Sequence, residues 1–228
     1  MILDINGLSF GWRKQPVFNQ ANLQLKEPGL YGLVAPNGSG KSTLLNLITN
    51  LLKPQSGTIK IMDAPNSTRQ VFEQVAFLQD NSVLYPYLTG REHLIFVAQM
   101  HQLPIQAIQP IADELEMTDY LDRKTQKYSL GMKQRLLLAM ALLVKRPLML
   151  LDEPLNGLDP TSLQIVREAL ISTKEAGQTA LISSHNLDEL MRVTNDIFFI
   201  VDQHIEFYHL DAGDTAEARY NDLYVKKR

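Results

Sequence analysis

Ala35-Pro36-Asn37-Gly38-Ser39-Gly40-Lys41-Ser42-Thr43 follows directly on the apolar run Leu30-Tyr31-Gly32-Leu33-Val34. The order reads as a strand, a glycine-bearing loop and the first turn of a helix, Ser42 to Leu52. That is the context a phosphate-binding loop requires, because loop amides and the helix N-terminus then face a polyphosphate. Gly38 and Gly40 let the backbone approach without a Cβ in the way. Lys41 brings a charge for the β- and γ-phosphates, and the Ser42 hydroxyl can ligate Mg²⁺. Ala35 stands where such loops usually carry their first Gly, so it is expected to keep an ordinary backbone conformation. A pattern this loose arises by accident in roughly 2% of chains of this length. The strand before it and the helix after it lower that figure further.

With 228 residues, 45% of them apolar, the chain suits one large α/β domain over residues 1–228. A net charge of −3 argues against electrostatic binding to nucleic acid. Like charges cluster only in the tail Lys226-Lys227-Arg228, read as a solvated terminus. Cysteine is absent, which excludes disulfides, thiolate metal sites and cysteine nucleophiles and fits the cytosol. Met1-Ile2-Leu3-Asp4 lacks the charged and apolar regions of a signal peptide. No apolar run approaches the ~18 residues of a membrane span, so any membrane role is expected to come through a partner.

Strand candidates recur at Leu30–Val34, Gln74–Leu78, Leu148–Leu151, Thr179–Ser183 and Ile197–Val201, with helical patterns between several of them. This is the signature of a mainly parallel sheet covered by helices. Ile2–Ile5, Phe18–Leu25 and Thr58–Ile61 alternate as antiparallel strands do, which predicts a separate N-terminal β layer. Between Tyr85 and Arg146 only helices are expected. One opens on the capping box Thr89-Gly90-Arg91-Glu92 and runs to about His101. A second covers roughly Ile105 to Leu121, and a third, apolar nearly all round and so buried, runs from about Met132 to Lys145. They form a helical subdomain inserted at about residues 85–146. Asp211 to Arg228 reads either as a helix packed on the core or as a loose tail.

Other residues converge on the same sheet edge. Leu148-Met149-Leu150-Leu151 ends in Asp152-Glu153. Alone, these are two solvated carboxylates at a turn. Beside a phosphate loop, Asp152 can hold Mg²⁺ and Glu153, pointing elsewhere, can orient and deprotonate water. His185 follows another strand, and Asn186 with Glu189 reads as a capping box behind it. A turn-supporting His is the plainer reading, and it is kept for His93, His101, His204 and His209. His185 differs because ligands bind at the C-terminal ends of parallel strands. Gln79 closes the same rim and can contact Mg²⁺ and the attacking water. Capping accounts for Asp159 and Pro160. Trp12 reads either as a partly buried packing residue or as a stacking platform for adenine. Ser129-Leu130-Gly131 opens the buried third helix as an N-cap, and also makes a second anion site suited to a neighbouring chain's nucleotide.

In this order the motifs resemble the nucleotide-binding subunit of ATP-binding cassette (ABC) transporters, from about residue 2 to residue 202. The resemblance implies an α/β P-loop NTPase fold with ATP and Mg²⁺ as ligands. Ala35 to Thr43 then match the Walker A loop, Trp12 the adenine-stacking aromatic, Gln79 the Q-loop, and Asp152 and Glu153 the Walker B pair. Asn156-Gly157-Leu158-Asp159 match the D-loop and His185 the switch histidine. Tyr128-Ser129-Leu130-Gly131-Met132 replaces the family's Leu-Ser-Gly-Gly-Gln. It keeps Ser129 and Gly131, which the resemblance places on the partner's γ-phosphate. This variant, with Leu84 to Glu92 upstream, looks like the branch of multidrug and peptide-antibiotic exporters.

The resemblance implies an ATPase in which two such chains close head to tail around two MgATP and drive a transmembrane permease subunit from the cytoplasmic face. Glu153 is then the base, His185 and Lys41 neutralise charge, and Ser42, Asp152 and Gln79 serve Mg²⁺. A short helix of the permease is expected to dock in a groove lined by Asp80 to Leu88. A soluble ABC ATPase that remodels cytosolic partners is the alternative. The single cassette and the lack of sustained heptads tell against its translation-factor and chromosome-maintenance forms, and leave open the form that serves iron–sulfur cluster assembly. A binding module without turnover is disfavoured by the presence of both Glu153 and His185.

Overall fold

The computed structural model describes residues 1–13, 15–79, 81–211 and 213–225. Asp80, expected at the head of the docking loop, and the tail Lys226-Lys227-Arg228 lie outside the described residues. The elements are β1 (Leu3–Trp12), β2 (Gln15–Leu25), β3 (Leu30–Val34), α1 (Lys41–Ile48), β4 (Ser56–Ile61), β5 (Ala64–Pro65), α2 (Thr68–Gln74) and β6 (Val75–Leu78). They continue with α3 (Gly90–Met100), α4 (Ile108–Glu114), α5 (Leu130–Leu143), β7 (Leu148–Asp152), α6 (Pro160–Glu175), β8 (Thr179–Ser183), α7 (Leu187–Met191), β9 (Asp196–Val201), β10 (His204–His209) and α8 (Ala216–Tyr224).

Two sheets result. The first has the order β2-β1-β4-β5 and is antiparallel throughout. The second has the order β10-β9-β3-β8-β7-β6 and is parallel except for β10. Side chains of a strand alternate between faces, and β7 divides them accordingly. Leu148 and Leu150 join α1 and the antiparallel sheet in one core, whereas Met149 and Leu151 join α3, α4 and α5 in the other. Burial on both faces explains why these strands read as continuous apolar runs.

The helical insertion lies between β6 and β7, as the sequence predicts. Two expected helix ends move, one in the insertion and one after the phosphate loop. The second helix ends at Glu114, and α1 at Ile48. Glu116 and Asn50 both take left-handed φ (50° and 62°) and terminate the preceding turns. The C-terminal segment settles as α8. Ala216 and Leu223 are buried, and the Tyr224 hydroxyl donates to the Ile200 carbonyl at 2.7 Å.

Candidate active site

The loop between β3 and α1 makes a cavity of about 200 Å³, lined by Asn37, Gly38, Gly40, Lys41, Ser42, Thr43 and Glu153. Ala35 is buried at its root and, as expected, is absent from the residues with positive φ. Pro36 and Ser39 close the loop through a Ser39 N–H to Pro36 carbonyl bond of 3.1 Å. Gly40 caps α1 at φ 109°, and a Cβ there would lie 2.6 Å from Val17 Cγ1. Glycine is therefore required at Gly40 for backbone shape and for space. The cavity is smaller than the pockets that hold whole drug-sized ligands, so it suits phosphates and leaves a base outside.

Lys41 is 7% exposed, and its Nζ donates to the Ala35 carbonyl at 3.0 Å and pairs with Glu153 Oε1 at 3.4 Å. Sequence reasoning has Glu153 pointing elsewhere than Asp152, and in the structure Asp152 meets Ser183 while Glu153 reaches Lys41. The Glu153 backbone sits at φ 52°, and that twist at the end of β7 turns the carboxylate toward Lys41 and the β8 turn. Glu153 Oε2 accepts from Asn156 Nδ2 at 2.7 Å and from the His185 N–H at 3.1 Å, and lies 3.1 Å from His185 Nδ1. Lys41, Glu153, Asn156 and His185 thus form one chain of contacts.

Beside them, the buried Ser183 hydroxyl donates to Asp152 Oδ1 at 2.5 Å and accepts the Glu153 N–H at 2.9 Å. The register pairs Asp152 with Ser183, so two neighbouring parallel strands fix the acidic pair. Ser183 escapes sequence reasoning. A polar residue at the end of an otherwise apolar strand was its signal. The Asn186 cap forms, its Oδ1 accepting from the Glu189 N–H, but the reciprocal half of the predicted capping box does not. The Asn186 N–H goes to Ser184 Oγ, and the Glu189 carboxylate pairs instead with Arg167 and Arg192.

Other predicted residues lie outside the cavity. Gln79 lines a separate groove of about 310 Å³ with Val83, Val97, His101, Leu137 and Met140. Trp12 is 52% exposed and touches Phe10 edge-on at 5.1 Å. It stands at the tip of the β1–β2 hairpin, whose Val17 and Phe18 flank Gly40. Ser129, Gly131 and Asp159 gather at a separate place. Ser129 caps α5, and a Cβ on Gly131 would lie 2.6 Å from Ser162 Oγ and 3.2 Å from Asp159 Oδ2. Hydrogen bonds from the Ser162 N–H and hydroxyl hold the Asp159 carboxyl below the usual range. Met132 occupies the capping-box position, where its thioether lies 3.5 Å from the Ser129 N–H, a weak acceptor.

The sequence pattern of the ABC transporter family matches residues 18–156, which include the loop, Gln79, Ser129 and the Asp152-Glu153 pair. The chain belongs to the ABC transporter family. Within it, this ABC protein is 32% identical, over 230 residues and the full length of both chains, to the lantibiotic transport ATP-binding protein SrtF of Streptococcus pyogenes. It is 34% identical over 205 residues to YcbN of Bacillus subtilis, an uncharacterised ABC transporter ATP-binding protein, covering 88% of this chain and 67% of that one. A solved ATP-binding subunit of an ABC transporter superposes with a TM-score of 0.89 at 26% identity, over 98% of this chain and 99% of that one. A dimeric ATP-binding cassette in a post-hydrolysis state, 21% identical, shares the fold with a TM-score of 0.81 over 92% of this chain and 100% of that one. This ABC protein is an ATP-binding transporter subunit and an ATPase. Among its described residues, no helix is long and apolar enough to cross a membrane.

Proposed function

We propose that Lys41, Glu153 and His185 carry in-line attack of water on the ATP γ-phosphate. The observation behind this reading is the Glu153 carboxylate, suspended between Lys41 and His185 at a phosphate-sized cavity. Phosphoryl transfer asks the protein mainly for positioning and charge stabilisation. Lys41 turns from Glu153 to the β- and γ-phosphates, Glu153 takes the proton of the attacking water, and His185 steadies the charge that develops. Trp12, an exposed indole beyond the cavity, offers the adenine a stacking face.

The donors fit Mg²⁺. Ser42 is exposed at the cavity and Asp152 directly precedes Glu153, which lines it, both offering oxygen. Among the described residues, no group of three His, Asp or Glu could hold a metal alone. An ion bound largely through nucleotide phosphates and water needs only that few protein ligands. Ser42 and Asp152 would hold it, and Gln79 would join them only by moving in from its groove. When bound, Mg²⁺ neutralises charge on the phosphate oxygens.

The partners follow from the remaining surfaces. A second nucleotide-binding subunit, of the same or another chain, presents its own Ser129-Gly131 helix end to this chain's γ-phosphate. The permease docks at the Gln79 groove, which Val83 lines, with exposed Phe72 stacked on its His101 and exposed Tyr85 and Tyr87 following Val83 in the chain. An apolar surface of this extent marks an interaction site. The subunit then works at the cytoplasmic face of the membrane. Full-length likeness to a lantibiotic transport protein supports outward movement of a peptide-antibiotic cargo.

Glu153→Gln tests the core of this reading. It should bind ATP yet turn over at least about a hundredfold more slowly, the effect of losing a general base. It should also accumulate an ATP-bound dimer on size-exclusion chromatography. Wild-type turnover would remove Glu153 from the mechanism.

A further inference from the structure

The two oxygens of Glu153 have different surroundings. Oε2 accepts from Asn156 Nδ2 at 2.7 Å and from the His185 N–H at 3.1 Å, with His185 Nδ1 at 3.1 Å. Oε1 faces Lys41 at 3.4 Å and no other partner among the described residues. A carboxylate oxygen can only accept, so Asn156 must turn its NH₂ toward it. The other end of the same amide, Oδ1, is buried without a hydrogen-bond partner among the described residues. Asn156 therefore leaves its own acceptor unsatisfied while its NH₂ is used on Glu153, with His185 Nδ1 3.0 Å from the same nitrogen. A residue needed only to shape the loop has no reason to accept that arrangement.

The geometry points to Asn156 as a positioning residue for hydrolysis: it commits Glu153 Oε2 and so leaves Oε1 as the oxygen that takes the proton of the attacking water. Once a polyphosphate draws Lys41 away, Oε1 is the carboxylate oxygen with open lone pairs. Its orientation toward the cavity is set by the grip of Asn156 and of the His185 turn on its twin. The inference rests on Glu153 as the base. It adds that Asn156 acts on the rate through Glu153.

The test is steady-state ATPase kinetics of Asn156→Asp and Asn156→Ala in the complete chain, beside Glu153→Gln. Asp has the shape of Asn but replaces the donor with a second carboxylate facing Glu153. The expected result for both variants is a kcat lower by about tenfold or more with KM for ATP within about twofold of wild type. Wild-type kcat in Asn156→Asp would overturn the inference, because loop shape alone would then suffice. So would a parallel loss of kcat and ATP binding in both variants, the mark of a merely structural role. If Asn156→Asp fails to fold, Asn156→Ala decides by the same split between kcat and KM. Normal turnover in Glu153→Gln would instead sink the assignment of the base, a separate failure.

Discussion

Replacing Gly40 by Ala tests how closely the N-terminal hairpin holds the phosphate loop. Gly40 has φ 109°, and a Cβ there would meet Val17 Cγ1 at 2.6 Å and Phe18 Cζ at 3.0 Å. Gly38, two residues earlier, has φ 81°, and a Cβ there would meet nothing within 4 Å. Gly38→Ala therefore measures backbone strain alone, about 1–2 kcal/mol. Gly40→Ala adds overpacking of about 1–3 kcal/mol, for a total of about 2–5 kcal/mol. With a urea slope of about 3 kcal/mol/M, the unfolding midpoint should fall by about 0.3–0.7 M for Gly38→Ala and by about 0.7–1.7 M for Gly40→Ala. Adding Val17→Ala to Gly40→Ala removes the nearest obstacle and should recover part of the extra loss, as a double-mutant cycle would show. Equal midpoints for the two glycine variants, or no coupling to Val17, would refute the packing argument.

Lys41→Ala should lose ATP affinity itself in isothermal titration, unlike Glu153→Gln. Unchanged affinity would mean that residues 35–43 are not the binding loop. Tyr85→Ser with Tyr87→Ser should weaken co-purification with a permease while ATP binding by the isolated chain persists, since interface aromatics commonly contribute about 2 kcal/mol each. Full-strength assembly would move the docking site elsewhere. His101 accepts from Arg146 and stacks on Phe72 at 4.4 Å, and burial, then the Arg146 charge, hold its pKa below the usual value. A depressed histidine contributes stability that is present above its unfolded pKa, about 6.5, and lost as pH falls through the folded value. The stability advantage of wild type over His101→Gln in urea should therefore shrink between about pH 7.5 and about pH 5. A constant difference would sever the link.

Much of this fold is legible because its strands are buried on both faces, so Leu148–Leu151 and Ile197–Val201 stand out as unbroken apolar runs. The chain is harder to read where helices stop. At the end of α4 the Met117 N–H returns to the Ala112 carbonyl at 2.7 Å and the Glu116 N–H to Asp113 at 3.0 Å. This is a Schellman turn, with Met117 buried beneath it. Its left-handed residue is Glu116, and Gln102 and Lys145 do the same work after α3 and α5. Without the glycine that normally marks such turns, the periodic pattern runs on past the true end. In the site, the strand-end acids and His185 are readable from their positions. The grip of Ser183 on the acids is not, because it depends on a register between β7 and β8 that no local pattern encodes. Asn156 reaches Glu153 across a turn whose left-handed residue, Glu153 itself, is not a glycine that would announce it.

The placing of β3 has a consequence for how the protein is made. Leu30 pairs with Ala180 and Gly32 with Ile197, so both neighbours of the phosphate-loop strand come from the far end of the chain. The contacts among α3, α4 and α5, by contrast, join residues within a single stretch from Gly90 to Leu143, much nearer in sequence than β3 is to β8 or β9. Local contacts form early and distant pairings late. As the chain leaves the ribosome, the helical insertion can therefore take shape while β3, though synthesised long before, waits without partners. The capacity to hold nucleotide then arrives only with the last strands, and nascent or truncated chains that end before β9 carry an exposed apolar strand prone to aggregation.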